Sequence, residues 1–312
     1  MVKAKWRRNR RIISINLTYS ILKNSLAGAW FSLLRVNQYT KNFFVLAPLF
    51  FSFKFRNIHL LSLSIAVFFI FSAVASCVYI LNDITDIKED TQHPVKCLRP
   101  LPSKRISLHS AVIAAVVLLC CSVIAAFLLD IRFAIFLLTY FIINIFYSLG
   151  LKKIAILDIM IIAVGFVLRV YAGGAVINVT PTMWLTLMTF LLSLILALGK
   201  RRDDVILKDD GVKTRPSIHG YNISLLNYSI VAMAAVTLVC YIQYTISPEI
   251  ILHFHNPYLY CNIIFVIAGF LRYFQVIFVS GGTSNPSKIV LKDVFLQVDL
   301  VLWLASFILF IK

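Results

Sequence analysis

The sequence predicts an all-α polytopic membrane protein, with nine transmembrane helices bundled around a central cavity open to the cytosol. Three observations lead there. Hydrophobic residues make up 60% of the 312 positions, and the mean hydropathy is +0.89, so the apolar surface is too large to hide inside a water-soluble globule. Windows of roughly twenty mostly apolar residues recur along the whole chain, which is the length of helix that crosses a bilayer. Finally, the lysines and arginines gather in alternate segments between those windows.

Taken in order, residues 1–28 form a basic segment carrying Lys3, Lys5, Arg7, Arg8, Arg10 and Arg11. It lacks the apolar core and small-residue cleavage site of a removable leader, and is expected along the cytosolic membrane surface. Residues 29–312 are expected to form a single transmembrane domain with spans near 33–53, 60–81, 108–129, 132–149, 154–177, 181–199, 224–246, 257–279 and 291–311. Lys54 and Arg56 follow the first span, and Arg132 stands between the third and fourth. Lys152 and Lys153 follow the fourth, and two long polar loops, 82–107 and 199–223, follow the second and sixth. No linker, low-complexity tract or heptad repeat marks a second domain.

Orientation follows from the basic residues. With the N-terminus inside, 24 of the 30 Lys and Arg fall on one side and four on the other, with Arg169 and Arg272 inside spans. That asymmetry assigns both long loops to the cytosol and the chain to the cell (inner) membrane. The net charge of +17 is then a topology signal and an attraction for anionic headgroups. Its spread over short loops argues against nucleic-acid binding. The six cysteines show no paired or CxxC spacing, so neither a disulfide framework nor a zinc site is expected.

The densest chemistry lies in Asn82-Asp-Ile-Thr-Asp-Ile-Lys-Glu-Asp90, directly after the second span. On a helix continuing at 100° per residue, Asn82, Asp83, Asp86 and Asp90 fall within one arc of about 100°. Four oxygen-bearing side chains on one face suit a hard cation such as Mg²⁺, which takes few carboxylates and leaves positions for substrate phosphates. Asn82, Asp83, Asp86 and Asp90 are therefore the candidate metal ligands, with Asp83, Asp86 and Asp90 as the candidate catalytic acids, and the implied substrate is a diphosphate. Anion binders follow in the same loop: His93, Lys96 and Arg99. The second loop opens on Lys200-Arg-Arg-Asp-Asp204, where Lys200 and Asp204 are one helical turn apart. Candidate substrate contacts are Lys41, Asn42, Tyr79, His93, Lys96, Arg99, Tyr147, Lys152, Arg169, Lys200, Arg201 and Asp204. Arg169 lies about fifteen residues into its span and either lines a polar cavity or snorkels outward.

Several segments together resemble the UbiA superfamily of intramembrane prenyltransferases, in its decaprenyl-phosphate phosphoribosyltransferase branch. They are Leu34-Arg-Val-Asn-Gln-Tyr-Thr-Lys-Asn42, the Asn82-Asp83-x-x-Asp86-x-x-x-Asp90 face, His93-Pro-x-Lys-x-x-Arg-Pro100, Tyr147-Ser-x-x-x-Lys152, Leu198-Gly-Lys-Arg201, and Leu271-Arg-Tyr273 with Asn285, Pro286 and Asp293. Where many members carry a second aspartate-rich motif, this chain has Lys200-Arg201 with Asp204 three residues after the Arg, which is similar to the phosphoribosyl branch. The resemblance implies Mg²⁺-dependent transfer of 5-phosphoribose from phosphoribosyl diphosphate to a polyprenyl phosphate in the lipid bilayer, releasing diphosphate and feeding arabinose donors for cell-wall or other surface glycans. Two other readings stay open: an aromatic prenyltransferase using a polyprenyl diphosphate, and an ion or solute transporter whose acidic cluster is the ion site.

Overall fold

The computed structural model describes residues 25–92, 96–209, 216–254, 257–279, 289 and 292–310. Among them there is no strand, and helices account for nearly everything. In chain order the α-helices are α1 (Leu26–Leu33), α2 (Ala47–Phe51), α3 (Ile58–Thr85), α4 (Ile87–Thr91), α5 (Leu108–Leu129) and α6 (Ile131–Leu149). They continue with α7 (Leu157–Val176), α8 (Met183–Asp209), α9 (Ile223–Thr245), α10 (Pro248–Phe254), α11 (Ile263–Phe274) and α12 (Val294–Phe310). The long ones begin on the residues that helix starts prefer, because the first N–H groups need an acceptor. Asn57 Oδ1 accepts from the His59 and Leu60 amides at 3.0 and 3.2 Å. Ser107 and Asn222 cap α5 and α9 in the same way, at 3.0 and 2.7 Å.

Seven helical stretches are long and apolar enough to cross a membrane: Ile58–Thr85, Leu108–Leu129, Ile131–Leu149, Leu157–Val176, Met183–Lys208, Ile223–Thr245 and Tyr258–Val279. The chain is thus a multi-pass integral membrane protein. The ninth expected span is the shorter helix α12. The first, 33–53, is no single helix. Arg35 turns with φ of 51°, Val36–Leu46 winds as a 3₁₀-helix, Pro48 sits at the start of α2, and Phe53 turns again with φ of 55°. Asn37, Gln38, Thr40, Lys41 and Asn42 leave no continuous apolar face for lipid. The long 3₁₀ run, unusual at that length, instead packs on α3.

Two compact units emerge. The first runs to Leu149 and adds Tyr171–Val179. Its 3₁₀ segment docks through polar bonds: Asn42 donates to Ser72 Oγ at 2.9 Å, and Ser76 Oγ reaches the Leu34 carbonyl at 2.8 Å. Gly173 permits the closest approach, since a Cβ there would stand 1.8 Å from the Val45 carbonyl oxygen. At the α5–α6 turn, Arg132 Nη2 donates to Asp130, to Asn178 Oδ1 at 2.6 Å and to the Ala175 carbonyl at 2.9 Å, closing off carbonyls at the end of α7. The second unit comprises Gly150–Val170 and Thr180 onward. Its core joins Ile159 and Ala163 of α7, Ile195 and Leu198 of α8, Leu226 and Ile230 of α9, and Phe270 of α11.

Candidate functional site

In the first unit α3 does not stop where its apolar run stops. The Asp86 amide donates to Asn82 O at 3.1 Å and the Asp90 amide to Asp86 O at 2.8 Å, so the i to i+4 ladder carries through the one-residue break between α3 and α4. The polar residues therefore fall on helical faces. Asp83 and Asp90, seven residues and only about 20° apart, are both just 2% exposed. Asn82 and Asp86, one turn apart, are half-buried.

Cations from two other segments meet the inner pair. Arg35, held in its turn ahead of the 3₁₀ helix, bonds Asp83 Oδ1 and lays its guanidinium 4.8 Å from the Tyr79 ring centroid. Tyr79 stands one turn before Asp83, so one residue type seats the cation and the other neutralises it. Arg99 Nη1 bridges both acids, 2.6 Å from Asp90 Oδ2 and 3.1 Å from Asp83 Oδ1, and Lys96 Nζ lies 3.8 Å from Asp90. Arg99 is aimed by its turn. Ser103 and Lys104 amides close it onto Arg99 O and Leu101 O, Arg105 and Ile106 amides onto Pro100 O, and buried Leu101 and Ile106 anchor it to α1, α3 and α5.

Other residues singled out in the sequence are placed as follows. Lys41 and Tyr147 are half-buried, while Asn42 is fully buried on Ser72. His93 lies outside the described residues, as do Asn285 and Pro286. In the second unit α8 runs past 199 to Asp209, so Lys200–Asp204 is helical rather than loop. Arg201 is 1% exposed, its Nε 2.7 Å from Asp158 Oδ2 and its Nη1 2.8 Å from Asp204 Oδ2. Tyr221 donates to Asp158 Oδ1 at 2.6 Å while accepting the Ile156 amide. Burial, and then the bond to Asp158, push the Tyr221 phenol above its ordinary range, so it remains a donor. This network ties the Lys152-bearing turn to α8. Arg169 does not snorkel: it is 5% exposed, donates to the Gly165 carbonyl at 2.7 Å and lies 5.1 Å over Phe166.

Sequence reasoning missed Arg35, Asp158 and Tyr221. Arg35 stands alone at the end of an apolar stretch, where it reads as a topology charge. Asp158 lies 43 residues from Arg201, and no local pattern joins them.

As for a metal, no three His, Cys, Asp or Glu side chains among the described residues group as ligands. Asn82 and Asp86 nevertheless offer two hard oxygen donors one helical turn apart on the half-buried face. That is the small protein share Mg²⁺ takes when phosphates and water complete its shell.

The fold and site define a membrane-embedded helical protein that ends its first long span in an acid-and-arginine cluster. Residues 43–296 match the UbiA prenyltransferase family, and the chain belongs to that family. It is 31% identical over 248 residues to the decaprenyl-phosphate phosphoribosyltransferase of Mycolicibacterium smegmatis, covering 77% of each chain. It is 28% identical over 279 residues to the enzyme of the same name from Mycobacterium tuberculosis, covering 88% of this chain and 91% of that one. A solved UbiA homolog from Archaeoglobus fulgidus, bound to GPP and Mg²⁺, superposes with a TM-score of 0.65 at 21% identity, covering 91% and 99%. The comparisons do not support a transporter, the third reading left open by the sequence.

Proposed function

We propose that the protein transfers 5-phosphoribose from phosphoribosyl diphosphate to a decaprenyl-type polyprenyl phosphate, releasing diphosphate, with Mg²⁺ as cofactor and the site facing the cytosol. The observation that carries the reading is the interleaving at residues 82–99: half-buried oxygen donors at Asn82 and Asp86 beside Arg35, Arg99 and Lys96 held on buried carboxylates. A metal–diphosphate substrate needs both kinds of group. The names of the mycobacterial relatives supply the sugar and the lipid.

Loss of diphosphate from C1 of ribose leaves oxocarbenium-like character at that carbon, and the developing charge on the leaving group is the main barrier. Asn82 and Asp86 would hold Mg²⁺, which supplies charge neutralisation to the departing diphosphate. Arg35, Lys96 and Arg99 would bind and orient the same polyanion. The acceptor is already anionic, so the chain need not supply a strong general base. Its task is to offset repulsion between two polyanions and fix their approach, a role in keeping with the half-buried Lys41 of the first unit.

The test is incubation of purified protein with radiolabelled phosphoribosyl diphosphate, Mg²⁺ and a polyprenyl phosphate. Label should enter the organic phase and cease to do so with EDTA. No transfer to any of several polyprenyl phosphates, with consumption of a prenyl diphosphate on addition of an aromatic acceptor, would overturn the reading in favour of an aromatic prenyltransferase.

A further inference from the structure

We infer that the acidic face is divided: Asn82 and Asp86 serve the metal, whereas Asp83 and Asp90 are positioning residues that hold Arg35 and Arg99 for the diphosphate and are not metal ligands. The inference rests on the reading above.

Four observations support the division. First, burial splits the face: Asn82 and Asp86 are half-buried, whereas the side chains of Asp83 and Asp90 are each 3% exposed, too enclosed for an ion that keeps several waters. Second, three of their four oxygens face cations. Asp83 Oδ1 receives both Arg35 and Arg99, Asp90 Oδ2 receives Arg99 at 2.6 Å, and Asp90 Oδ1 faces Lys96 at 3.8 Å. A cation inserted among three positive side chains would have to expel them, and stripping the partners from a buried carboxylate is costly.

Third, the cations are not used up by these pairs. Against two carboxylates stand three positive groups. Arg99 meets both acids through one nitrogen, Nη1, of a guanidinium that has five N–H donors. Its side chain is 31% exposed and that of Arg35 is 23%, so both stay within reach of an anion from solvent. A planar fork held through one of its nitrogens keeps its other donors for phosphate oxygens, and less rotamer freedom is lost when the anion arrives. Fourth, the two arginines come from segments far apart in sequence, the turn before the 3₁₀ helix and the turn after α4. The two acids on α3 and α4 give them a shared polar anchor.

The experiment compares full-length Asp83→Asn, Asp90→Asn and Asp86→Asn with the wild type in two binding measurements. Mn²⁺ binding is followed by electron paramagnetic resonance, and inorganic diphosphate by calorimetry at saturating Mg²⁺. Asp86→Asn should weaken Mn²⁺ at least tenfold. Asp83→Asn and Asp90→Asn should keep Mn²⁺ within twofold while weakening diphosphate about tenfold, with a matching rise in KM for phosphoribosyl diphosphate. If either acid variant does not fold, Arg99→Lys should show the same pattern, retaining Mn²⁺ and losing diphosphate. Weakening of Mn²⁺ by Asp83→Asn or Asp90→Asn to the extent seen with Asp86→Asn would overturn the division. A wild type that shows this binding pattern yet transfers no phosphoribose supports the division and counts against the preceding reading alone.

Discussion

At the scale of single residues, exposure separates side chains that the sequence could only group by type. Asp86 is half-buried beside Asn82, so Asp86→Ala should abolish turnover while the detergent-solubilised protein keeps its size-exclusion profile. Retained activity at ordinary Mg²⁺ would contradict the metal assignment. Lys208, by contrast, lies 3.2 Å from Nδ1 of the exposed His219, and Lys208→Ala should leave activity within about twofold, as pairs near the surface contribute little. Arg201 reads in sequence as a substrate contact, but its side chain is 1% exposed and that of Asp158 is 0% exposed. Arg201→Leu strands a buried carboxylate, a loss of about 3–5 kcal/mol, and Tyr221→Phe removes one bond to it, about 1–3 kcal/mol. Thermal unfolding in detergent should rank them in that order. The acidic motif was legible because its members are neighbours in sequence. The Asp158–Arg201–Tyr221 cluster was not, because its partners come from separate elements and each alone resembles a common surface charge.

At the scale of elements, uniform apolar helices were easy to find, and places where polar needs compete with lipid were not. The windows at 108–129 and 132–149 match α5 and α6 to within a residue, since about twenty apolar residues without a breaker have few alternatives. The 33–53 window has similar length but interposes Asn37, Gln38, Thr40, Lys41 and Asn42, and the bonds of Tyr39 to Ser76 and of Asn42 to Ser72 on α3 favour a 3₁₀ segment over a spanning helix. That docking makes Gly173 sensitive. Its added Cβ would strike backbone, which cannot swing aside, so Gly173→Ala should lower the unfolding temperature markedly. Gly150→Ala, with nothing within 4 Å, should not. The clamp at the α5–α6 turn also has a pH signature. The Arg132 guanidinium bonded to Asp130 holds that carboxyl below its ordinary value. A depressed folded value stabilises above the unfolded pKa, near 4, and that stability is lost as pH falls through the folded value. The difference in unfolding temperature between wild type and Asp130→Asn should therefore stay constant from pH 6 to 8 and shrink as the medium is acidified below about 4.

At the scale of the whole molecule, the charge asymmetry does two jobs that are physically one. On the proposed reading, the basic residues that would fix orientation during insertion share a side of the membrane with the groups that would handle phosphates, since phosphorylated water-soluble donors are found in the cytosol. A sequence can therefore announce both topology and the side of the chemistry before any contact is known, while leaving undecided which lysine does which. Arg99 and Lys104 show the ambiguity, five residues apart in one loop: Arg99 is bonded to two buried acids, and Lys104 is exposed with a positive φ of 57°. Orientation can be tested without reference to turnover. In a background with the six cysteines replaced by serine, Lys104→Cys should react with a membrane-impermeant maleimide in inverted vesicles and resist it in right-side-out vesicles or intact cells. Lys54→Cys, which precedes α3 as Lys104 precedes α5, should do the reverse, because α3 is long and apolar enough to separate them across the bilayer. Labelling of both positions from one side would mean that α3 does not cross. Reversed labelling of both would put the Asp86 cluster outside, where phosphoribosyl diphosphate is absent, and the proposed donor would have to be abandoned.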